Sequence, residues 1–373
     1  MMKENLNISF FIPSVAGGGA ERVTLNLAKG FIKRGVNVHL VIADYSGALV
    51  SEIPAGCRVV NLQSRRVLFS IFKLVRYLRE NKPLALVSAL DHANVVSVLA
   101  KVLSGSRNTK LILVVHTTFS AAIRRSKNCR TKILPLLMYL TYWKAEHVVA
   151  VSDGVADDLC KSIPYLKTKI RVLYNPIVLP EIFDRAKDRV EHPWFNADIP
   201  VIVSVGRLSK EKDYGTLLMA FSLLIKKTPA HLVILGEGKE RENIEKISRE
   251  LNIEDFVWMP GFVENPYKYM KNSSVFVLSS MYEGLPTVLV EALALGIQVV
   301  STDCQSGPRE ILEDGRFGML VPTGDFKALA NALEQVLAGS VRFPAEEFDS
   351  RKYSLENCTE SYYDLIFRGR ERA

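Results

Sequence analysis

Two glutamates eight residues apart carry the clearest chemical meaning in this chain. Glu283 and Glu291 are the ends of the segment EGLPTVLVE. Glu291 falls in an otherwise apolar helix, where a carboxylate without a partner costs free energy. A hydroxyl-rich ligand would supply that partner, and the helix-start amides of Thr287 and Val288 could bind a phosphate. The alternative is an exposed loop glutamate followed by a surface-helix glutamate, which the apolar setting disfavours.

Two cations form a second candidate site. Arg207 and Lys212 lie in the segment GRLSKEKD, directly after a predicted strand. In open parallel sheets, ligands bind at the carboxyl ends of the strands. A guanidinium and an ammonium together suit a diphosphate. A solvated, charged turn is the alternative interpretation of this segment taken alone.

Three consecutive glycines follow the first predicted strand and open a helix: Gly17, Gly18 and Gly19. Glycines let backbone amides approach a phosphate, and a helix N-terminus favours negative charge. Arg22 stands where a GxGxxG motif has its third glycine, which disfavours a dinucleotide-dependent dehydrogenase. A tight strand–helix turn without a ligand is the other interpretation.

One histidine is placed to contact a substrate. His116 closes the apolar run 111–115, so it could hydrogen-bond substrate hydroxyls, although a structural histidine is the commoner case. The sequence contains no Asp-x-Asp triplet, Gly-x-Ser-x-Gly elbow, Walker A loop or Cys-x-x-Cys pair. These absences argue against a metal-anchored nucleotide-sugar site, a serine hydrolase, a P-loop enzyme and a zinc site.

Strands alternating with helices must position these residues. The 373 residues suit two domains, and 48% hydrophobic residues exclude a disordered chain. Apolar runs predict strands at 8–13, 36–43, 84–88, 111–116 and 147–151, then at 201–205, 230–235, 256–259, 275–278 and 298–301. A Pro-punctuated segment at 177–200 separates the two series. We predict an α/β fold of two Rossmann-like domains, 1–176 and 177–373, with a final helix at about 354–367.

The charge distribution points to an anionic partner for the first half. Residues 1–180 hold 25 Lys or Arg against 10 Asp or Glu, and the remainder of the chain holds 23 against 30. No nucleic-acid motif accompanies the basic half, so an anionic membrane or a lipid phosphate is the preferred partner. Basic residues precede apolar stripes at 68–74 and 133–140, which fits an interfacial surface or a solvated helix face. These residues are Arg65, Arg66, Arg124, Arg125, Lys127 and Arg130.

In combination, the motifs resemble the retaining nucleotide-sugar glycosyltransferases of family 4, which have the GT-B fold. The resemblance rests on the glycine turn at 17–19, the Gly-Arg-Leu-x-x-x-Lys element at 206–212, the Gly-Glu-Gly triplet at 236–238 and the paired glutamates. Within that family, the sequence is most similar to bacterial enzymes that extend lipid-linked oligosaccharides or exopolysaccharides. GT-B implies two domains that face a central cleft, with the last helix crossing back to the first domain.

The resemblance implies how a nucleotide-sugar donor is held. Arg207 and Lys212 would bind the diphosphate, Glu291 the ribose hydroxyls, and the backbone at Phe262 the base. The donor-binding set that it implies is Gly17, Gly18, Gly19, Arg207, Lys212, Glu237, Gly238, Phe262, Glu283, Leu285, Thr287, Val288 and Glu291.

The resemblance also implies the reaction. Its catalytic set is His116, Glu283, Arg207 and Lys212, with His116 contacting the sugar from the opposite domain. A hexose or N-acetylhexosamine would pass from a UDP-sugar to a lipid-linked or polysaccharide acceptor, with retention and with neither metal nor cofactor. No apolar run approaches the ~20 residues of a membrane span, so we expect a cytoplasmic protein on the inner face of the membrane.

Other classes remain open at this stage. A nucleotide-sugar epimerase or a glycosidic phosphorylase would share the fold, although a free small substrate does not need a basic surface. A non-catalytic scaffold is a third possibility, which the presence of Glu283, Glu291, Arg207 and Lys212 disfavours.

Overall fold

The computed structural model of the chain describes residues 7–120, 123 and 129–368, without the side chains of 129–132. The described chain divides into two units. Unit 1 holds the residues up to Ile177 and those from Lys352 onward, and unit 2 is Val178–Arg351. Each unit contains one wholly parallel sheet flanked by helices. The predicted α/β class with two Rossmann-like domains is therefore confirmed.

The regular elements are numbered along the chain. The strands are β1 (Asn7–Ile12), β2 (Asn37–Ile42), β3 (Arg58–Asn61), β4 (Ala85–Ala89), β5 (Lys110–Val115), β6 (His147–Ala150), β7 (Ile170–Val172), β8 (Val201–Val205), β9 (His231–Leu235), β10 (Val257–Gly261), β11 (Val275–Leu278), β12 (Val299–Thr302) and β13 (Met319–Val321). The helices are α1 (Gly19–Lys33), α2 (Ile71–Asn81), α3 (Asp91–Ser104), α4 (Cys129–Thr141), α5 (Asp153–Ser162), α6 (Pro180–Arg185), α7 (Tyr214–Leu224), α8 (Arg241–Glu250), α9 (Tyr267–Lys271), α10 (Thr287–Ala294), α11 (Pro308–Ile311), α12 (Phe326–Leu337) and α13 (Leu355–Tyr363).

Both sheets wind in the same way. The spatial order is β3-β2-β1-β4-β5-β6-β7 in unit 1 and β10-β9-β8-β11-β12-β13 in unit 2. In each sheet the first three strands run outward in one direction, and the fourth returns to lie on the other side of the first. The winding therefore reverses between β1 and β4 and between β8 and β11. Ligands bind at such switch points in open parallel sheets.

All ten predicted strands are present, and the three that the sequence did not predict are edge strands. β3 and β7 lie at the two edges of the first sheet, and β13 lies at one edge of the second. None of the four residues of β3 is buried, and β7 and β13 each bury a single residue. Edge strands that face water lack the apolar run from which buried strands are recognised.

The core of unit 2 explains why its helices are so apolar. Leu217, Leu218 and Phe221 of α7 are completely buried and pack with Leu329 and Leu333 of α12 against the sheet. Burial of this apolar area is the main favourable contribution to folding. The sheet is thereby fixed in register, and its carboxyl edge becomes a rigid base for the loops that follow each strand.

The last helix belongs to unit 1, as the expected GT-B architecture requires. The ring of Tyr363 stacks on Phe31 of α1, with 6.4 Å between their centroids, and Arg34 forms an ion pair with Glu360. The predicted second domain, 177–373, is thus wrong in its final part, because α13 buries its apolar side against α1. Among the described helices, none is both long and apolar enough to cross a membrane.

Candidate active site

The predicted Lys, Arg and Glu lie at the switch point of the unit 2 sheet. Arg207 and Lys212 are in the loop that follows β8, and Glu283 is in the loop that follows β11. β8 and β11 are neighbouring parallel strands, so both loops leave the same edge of the sheet side by side. Residues 71 positions apart in the chain are thereby brought into one site.

A partly buried ion pair joins these two loops. The Lys212 Nζ atom donates to Oε1 of Glu283 at 2.6 Å, and both side chains are less than one-fifth exposed. The Ser280 hydroxyl donates to the same oxygen at 2.7 Å, and the Ser279 hydroxyl donates to the Lys212 carbonyl. Charge-assisted hydrogen bonds of this kind fix geometry as well as charge. The Arg207 side chain is exposed and has no ion-pair partner among the described residues.

The backbone around Lys212 has a defined local geometry. Lys210–Lys212 form one 3₁₀ turn, and Asp213 follows in the left-handed region at φ 47°. The Asp213 carboxylate accepts hydrogen bonds from the Thr216 amide at 3.3 Å and from its hydroxyl at 2.7 Å, capping α7. Such a cap satisfies amides that the first helical turn leaves without acceptors.

Two neutral groups lie next to the ion pair. Burial raises the pKa of Tyr214 far above its usual range, and the charge of Glu283 acts in the same direction. Burial and the same carboxylate raise the pKa of the Cys304 thiol to about 12. Both groups therefore stay uncharged at neutral pH. Neither residue was singled out from the sequence, because only their spatial proximity to Glu283 makes them part of the site.

Two glycines allow the loops after β8 and β9 to pack backbone against backbone. Gly236 has φ 145°, and a Cβ atom there would lie 1.9 Å from the Gly206 carbonyl oxygen. A Cβ atom at Gly238 would lie 2.1 Å from the Leu208 carbonyl oxygen. No other residue type avoids these overlaps. The predicted residues Glu237 and Gly238 are thus held beside the loop that carries Arg207.

Glu237 also approaches the end of β10. Its carboxylate pairs with Arg241, whose guanidinium donates to the Met259 carbonyl at 2.9 Å. A Cβ atom at Gly261 would lie 2.6 Å from a Glu237 oxygen. Phe262, the next residue, is 55% exposed. The loops after β8, β9, β10 and β11 therefore bring together the predicted donor-binding residues of unit 2.

Glu291 is buried as predicted, and it has a protein partner that sequence reasoning missed. It is 7% exposed in α10, and the Tyr267 hydroxyl donates to its Oε1 at 3.3 Å. Tyr267, in α9, is itself buried and lies beneath the guanidinium of Arg185. The tyrosine offsets part of the desolvation cost of the carboxylate. Burial of Glu291 by itself is thus weaker evidence for a ligand than the sequence suggested.

The start of α10 offers backbone donors. The helix begins at Thr287, directly after Pro286, so the amides of Thr287 and Val288 have no acceptor within the helix. Leu285 is 6% exposed and packs inside the unit. The Ser306 hydroxyl donates to the Gly284 carbonyl at 2.9 Å, which anchors the turn. Leu285 can therefore contact a ligand through its backbone, because its side chain is buried.

The glycine turn of unit 1 already faces an anion. Gly18 is the N-cap of α1, and Gly17 has φ 107°. A Cβ atom at Gly18 would lie 2.2 Å from a carboxylate oxygen of Glu21, so this acidic side chain folds back over the turn. This carboxylate would repel a phosphate bound at the turn, because both are negatively charged. A phosphate at Gly17, Gly18 or Gly19 would require Glu21 to move.

His116 follows β5 and is half-buried. Its Nε2 atom is buried, with no hydrogen-bond partner among the described residues. Burial lowers the pKa of His116 from 6.5 to about 4, so the ring is neutral at physiological pH. A neutral imidazole can both donate to and accept from a hydroxyl group.

The low pKa of His116 predicts a loss of stability in acid. In the unfolded chain the ring gains a proton below pH 6.5, whereas in the folded chain it remains neutral until about pH 4. Its contribution is therefore present at pH 7 and is lost as the pH falls. We expect the decrease in unfolding free energy from pH 7 to pH 5, measured by urea unfolding, to be about 2 kcal/mol smaller in His116→Asn than in wild type.

The other five histidines provide an internal control for that experiment. Their pKa values are also lowered, in each case chiefly by burial. The variant should therefore keep a residual loss of stability at low pH. Identical pH dependence in the two proteins would contradict the assignment of a strongly lowered pKa to His116.

The predicted basic surface is only partly described. Arg65 and Arg66 are exposed and directly precede the 3₁₀ turn Val67–Ser70. Arg124, Arg125 and Lys127 lie outside the described residues, and Arg130 lies in α4 with its side chain outside the description. In the part of the chain that the structure describes, no group of three or more His, Cys, Asp or Glu side chains could hold a metal ion.

Comparison with known proteins identifies the two units. Residues 17–179 match the family model described as Glycosyltransferase Family 4, and residues 184–352 match Glycosyl transferases group 1. A protein of Campylobacter jejuni is 31% identical over 88% of this chain and 90% of its own length. It is an N-acetylgalactosamine-N,N'-diacetylbacillosaminyl-diphospho-undecaprenol 4-alpha-N-acetylgalactosaminyltransferase.

Solved structures share the same architecture. The apo form of the lipopolysaccharide outer core galactosyltransferase WaaB has a TM-score of 0.71 at 22% identity, covering 97% of this chain and 99% of WaaB. Anabaena Alr3699/HepE in complex with UDP has a TM-score of 0.69 at 20% identity, covering 97% of this chain and 95% of HepE. With both halves matched by glycosyltransferase models and a full-length relative above 30% identity, the chain belongs to the glycosyltransferases, with the GT-B fold.

Proposed function

We propose that this glycosyltransferase moves a hexose or N-acetylhexosamine from a UDP-sugar to a lipid-linked or polysaccharide acceptor. We further propose that transfer retains the anomeric configuration and needs no metal ion. The observation that carries the proposal is the partly buried Lys212–Glu283 pair at the switch point of unit 2, with Arg207 exposed in the loop that carries Lys212. The Campylobacter relative, whose name specifies a diphospho-undecaprenol acceptor, and the UDP complex of HepE support the choice of substrates.

The charges at this edge fit departure of a nucleoside diphosphate. When the bond between the sugar and the diphosphate breaks, its electron pair stays on the phosphate oxygen. Lys212 and the amides at the start of α10 are held in place before the reaction begins, so they stabilise that negative charge, and Arg207 adds a further positive charge. The acceptor oxygen bonds to the anomeric carbon and its proton passes to the departing phosphate oxygen. This route uses no separate protein nucleophile.

Glu283 has a positioning role in this scheme. Its carboxylate accepts hydrogen bonds from Lys212 and Ser280, so it holds the ammonium at the switch point. The second carboxylate oxygen, Oε2, can accept a hydrogen bond from a sugar hydroxyl. A carboxylate accepts several hydrogen bonds at once, which allows it to bind cation and sugar together.

Glu291 and Tyr267 form the proposed ribose site. Hydrogen bonds to a charged acceptor contribute about 1.5–3 kcal/mol, so Glu291→Gln should raise the donor KM by ~10-fold or more. We expect kcat to change much less, because the ribose does not react. Glu254→Gln, at an exposed position before β10, is the matched control. A lower kcat at an unchanged KM would contradict the assignment of Glu291 to donor binding.

A nucleotide-release assay tests the proposed function. Purified protein in EDTA is given UDP-glucose, UDP-galactose or their N-acetyl forms, with and without a membrane lipid extract. Release of UDP from one donor, increased by the lipid, would support metal-independent transfer to a lipid acceptor. Release without lipid dependence would favour an epimerase-like or hydrolytic reaction. No release from UDP-, GDP- or ADP-sugars would contradict the proposal.

We also propose peripheral contact with an anionic membrane on the cytoplasmic side. Residues 62–144 contain fifteen Lys or Arg, whereas Glu80 and Asp91 are the only acidic residues there. Such a basic surface attracts anionic headgroups at low ionic strength. Glu80 forms an ion pair with Arg76 at 2.7 Å, so its negative charge mainly offsets that one arginine.

A further inference from the structure

Unit 1 exposes large apolar side chains on three neighbouring helices. We call the following six residues the apolar face: Phe69, Phe72, Leu103, Leu136, Leu140 and Trp143. Phe72 is 80% exposed, and each of the other five is about half exposed or more. Single exposed apolar residues are ordinary, but a group of this size is uncommon on a monomeric protein.

The spacing of these residues aligns them along the helices. Leu136, Leu140 and Trp143 follow one another at intervals of four and three residues through α4 and the 3₁₀ turn after it. Phe69, in the 3₁₀ turn Val67–Ser70, and Phe72, in the first turn of α2, are three residues apart. Residues at these intervals lie on one side of a helix. Leu136 and Leu140, which share α4, therefore face in one direction, and Phe69 and Trp143 extend the two stripes through the adjoining 3₁₀ turns.

Specific contacts hold the three helices together. α3 packs against both α2 and α4. The Arg79 guanidinium, on α2, donates to the Leu103 carbonyl at 2.9 Å and thus fixes the end of α3 beside α2. The Lys101 ammonium donates to Glu146 at 2.6 Å, which ties the same end of α3 to the start of β6. Leu103 accordingly lies on a rigid support, at the end of the middle helix of the three.

Core packing alone does not explain why these helices carry large apolar side chains on their outer sides. Leu74 and Leu78 of α2 are completely buried, as are Met138 of α4 and Tyr142 directly after it. The core-facing sides of α2 and α4 are therefore already packed within unit 1. A surface helix of a soluble protein normally presents polar residues on its other side.

Cations border the apolar face. Arg65 and Arg66 precede Phe69, and Arg76 and Arg79 continue the outer side of α2. The Lys144 ammonium lies 3.8 Å from the centre of the Trp143 ring. Apolar side chains surrounded by Arg and Lys match the boundary between acyl chains and phosphate headgroups. A second copy of the chain would instead bring two identical sets of cations together, which opposes symmetric dimerisation.

We propose that the apolar face inserts into the headgroup–acyl boundary of an anionic phospholipid bilayer, with the surrounding cations on lipid phosphates. This inference deepens the membrane contact suggested under the proposed function and rests on it for biological meaning. It goes further in assigning the anchoring to apolar insertion by named residues. It also requires neither donor nor acceptor, so it can be tested without enzymatic turnover.

Vesicle sedimentation tests the insertion directly. Wild type, Phe69→Ser/Phe72→Ser and the control Phe183→Ser, a half-exposed phenylalanine of unit 2, are mixed with vesicles of phosphatidylglycerol and phosphatidylethanolamine. We expect at least ~10-fold weaker partitioning for the double variant, because each substitution removes a large apolar area that the bilayer would otherwise bury. The control should bind as wild type does. Unchanged melting temperatures establish that the variants are folded.

Ionic strength separates insertion from simple charge attraction. Arg65→Ala/Arg66→Ala should lose binding mainly in low salt, whereas part of the wild-type binding should persist at 1 M NaCl because apolar burial is not screened. Complete loss of wild-type binding in high salt would overturn insertion and leave electrostatic contact alone. Wild-type partitioning by Phe69→Ser/Phe72→Ser would also overturn it.

The fluorescence of Trp143 reports how deeply the apolar face inserts into the bilayer. We expect brominated acyl chains to quench part of the tryptophan emission in wild type, and Trp143→Phe to abolish that quenching while vesicle binding is retained. The other tryptophans, Trp194 and Trp258, lie in unit 2. Absence of quenching, or a dimer that Phe72→Ser dissociates, would overturn the proposal. Neither result would affect the nucleotide-release assay, so the two proposals can fail independently.

Discussion

Replacing Lys212 by alanine lowers kcat/KM for sugar transfer by ~10³-fold, which corresponds to about 4 kcal/mol of lost transition-state stabilisation. Two effects act together. The variant lacks the cation paired with Glu283 at the switch point, where the departing diphosphate would gain charge in the proposed reaction. It also leaves the Glu283 carboxylate, 14% exposed, without its counter-ion. Steady-state UDP release with the preferred donor measures the effect.

Matched variants make this prediction specific. Lys210→Ala removes an exposed lysine two residues away, with no ion pair among the described residues, and should keep near-wild-type activity. Lys212→Arg preserves the charge but changes its geometry, so we expect intermediate activity. A Lys212→Ala protein that is folded and transfers sugar at the wild-type rate would exclude Lys212 from the reaction.

Replacing Tyr362 by alanine destabilises unit 1 by ~3–5 kcal/mol, the usual cost of removing a large buried aromatic side chain. Tyr362, in α13, is completely buried. The cavity would form where α13 packs on the rest of unit 1, so amide hydrogen exchange should accelerate in unit 1 peptides and remain unchanged in unit 2 peptides. Equal acceleration in both units would contradict the assignment of α13 to unit 1.

Tyr362→Phe separates the ring from the hydroxyl. The Tyr362 hydroxyl is buried and has no hydrogen-bond partner among the described residues. Burying a polar group without a partner costs free energy, so its removal should leave stability unchanged or increase it. A large loss of stability in this variant would show that the hydroxyl has a partner.

Periodicity and turn chemistry made much of the fold predictable. Buried strands such as β8 and β11 read as unbroken apolar runs, and their predicted bounds match the observed ones. Edge strands such as β3 carry no such signal, because neither of their faces is fully covered. The return of α13 to unit 1 followed from the family resemblance, since local sequence holds no information on which domain a helix packs against.

The site was predictable by residue type and much less by pairing. Lys212 and Glu283 were both singled out, yet nothing in their spacing shows that they form an ion pair. That contact depends on β8 and β11 being neighbours, which is a property of the winding. Tyr267 was missed because a tyrosine in an apolar segment has no distinguishing pattern. Glu21 was missed as a competing anion, because its side chain lies over Gly18 only once the first turn of α1 has formed.

The chain order has a consequence for how the protein is made. Residues 178–351 form a complete unit with continuous sequence, whereas unit 1 closes only with residues from 352 onward. Unit 1 therefore cannot reach its final state until residues 352 onward are available to cover α1, whereas unit 2 does not need them. The N-terminal half, although translated first, thus depends on residues that are translated after all of unit 2. A premature stop after residue 351 would consequently appear as a defect of the N-terminal half and lead to its recognition by chaperones and proteases.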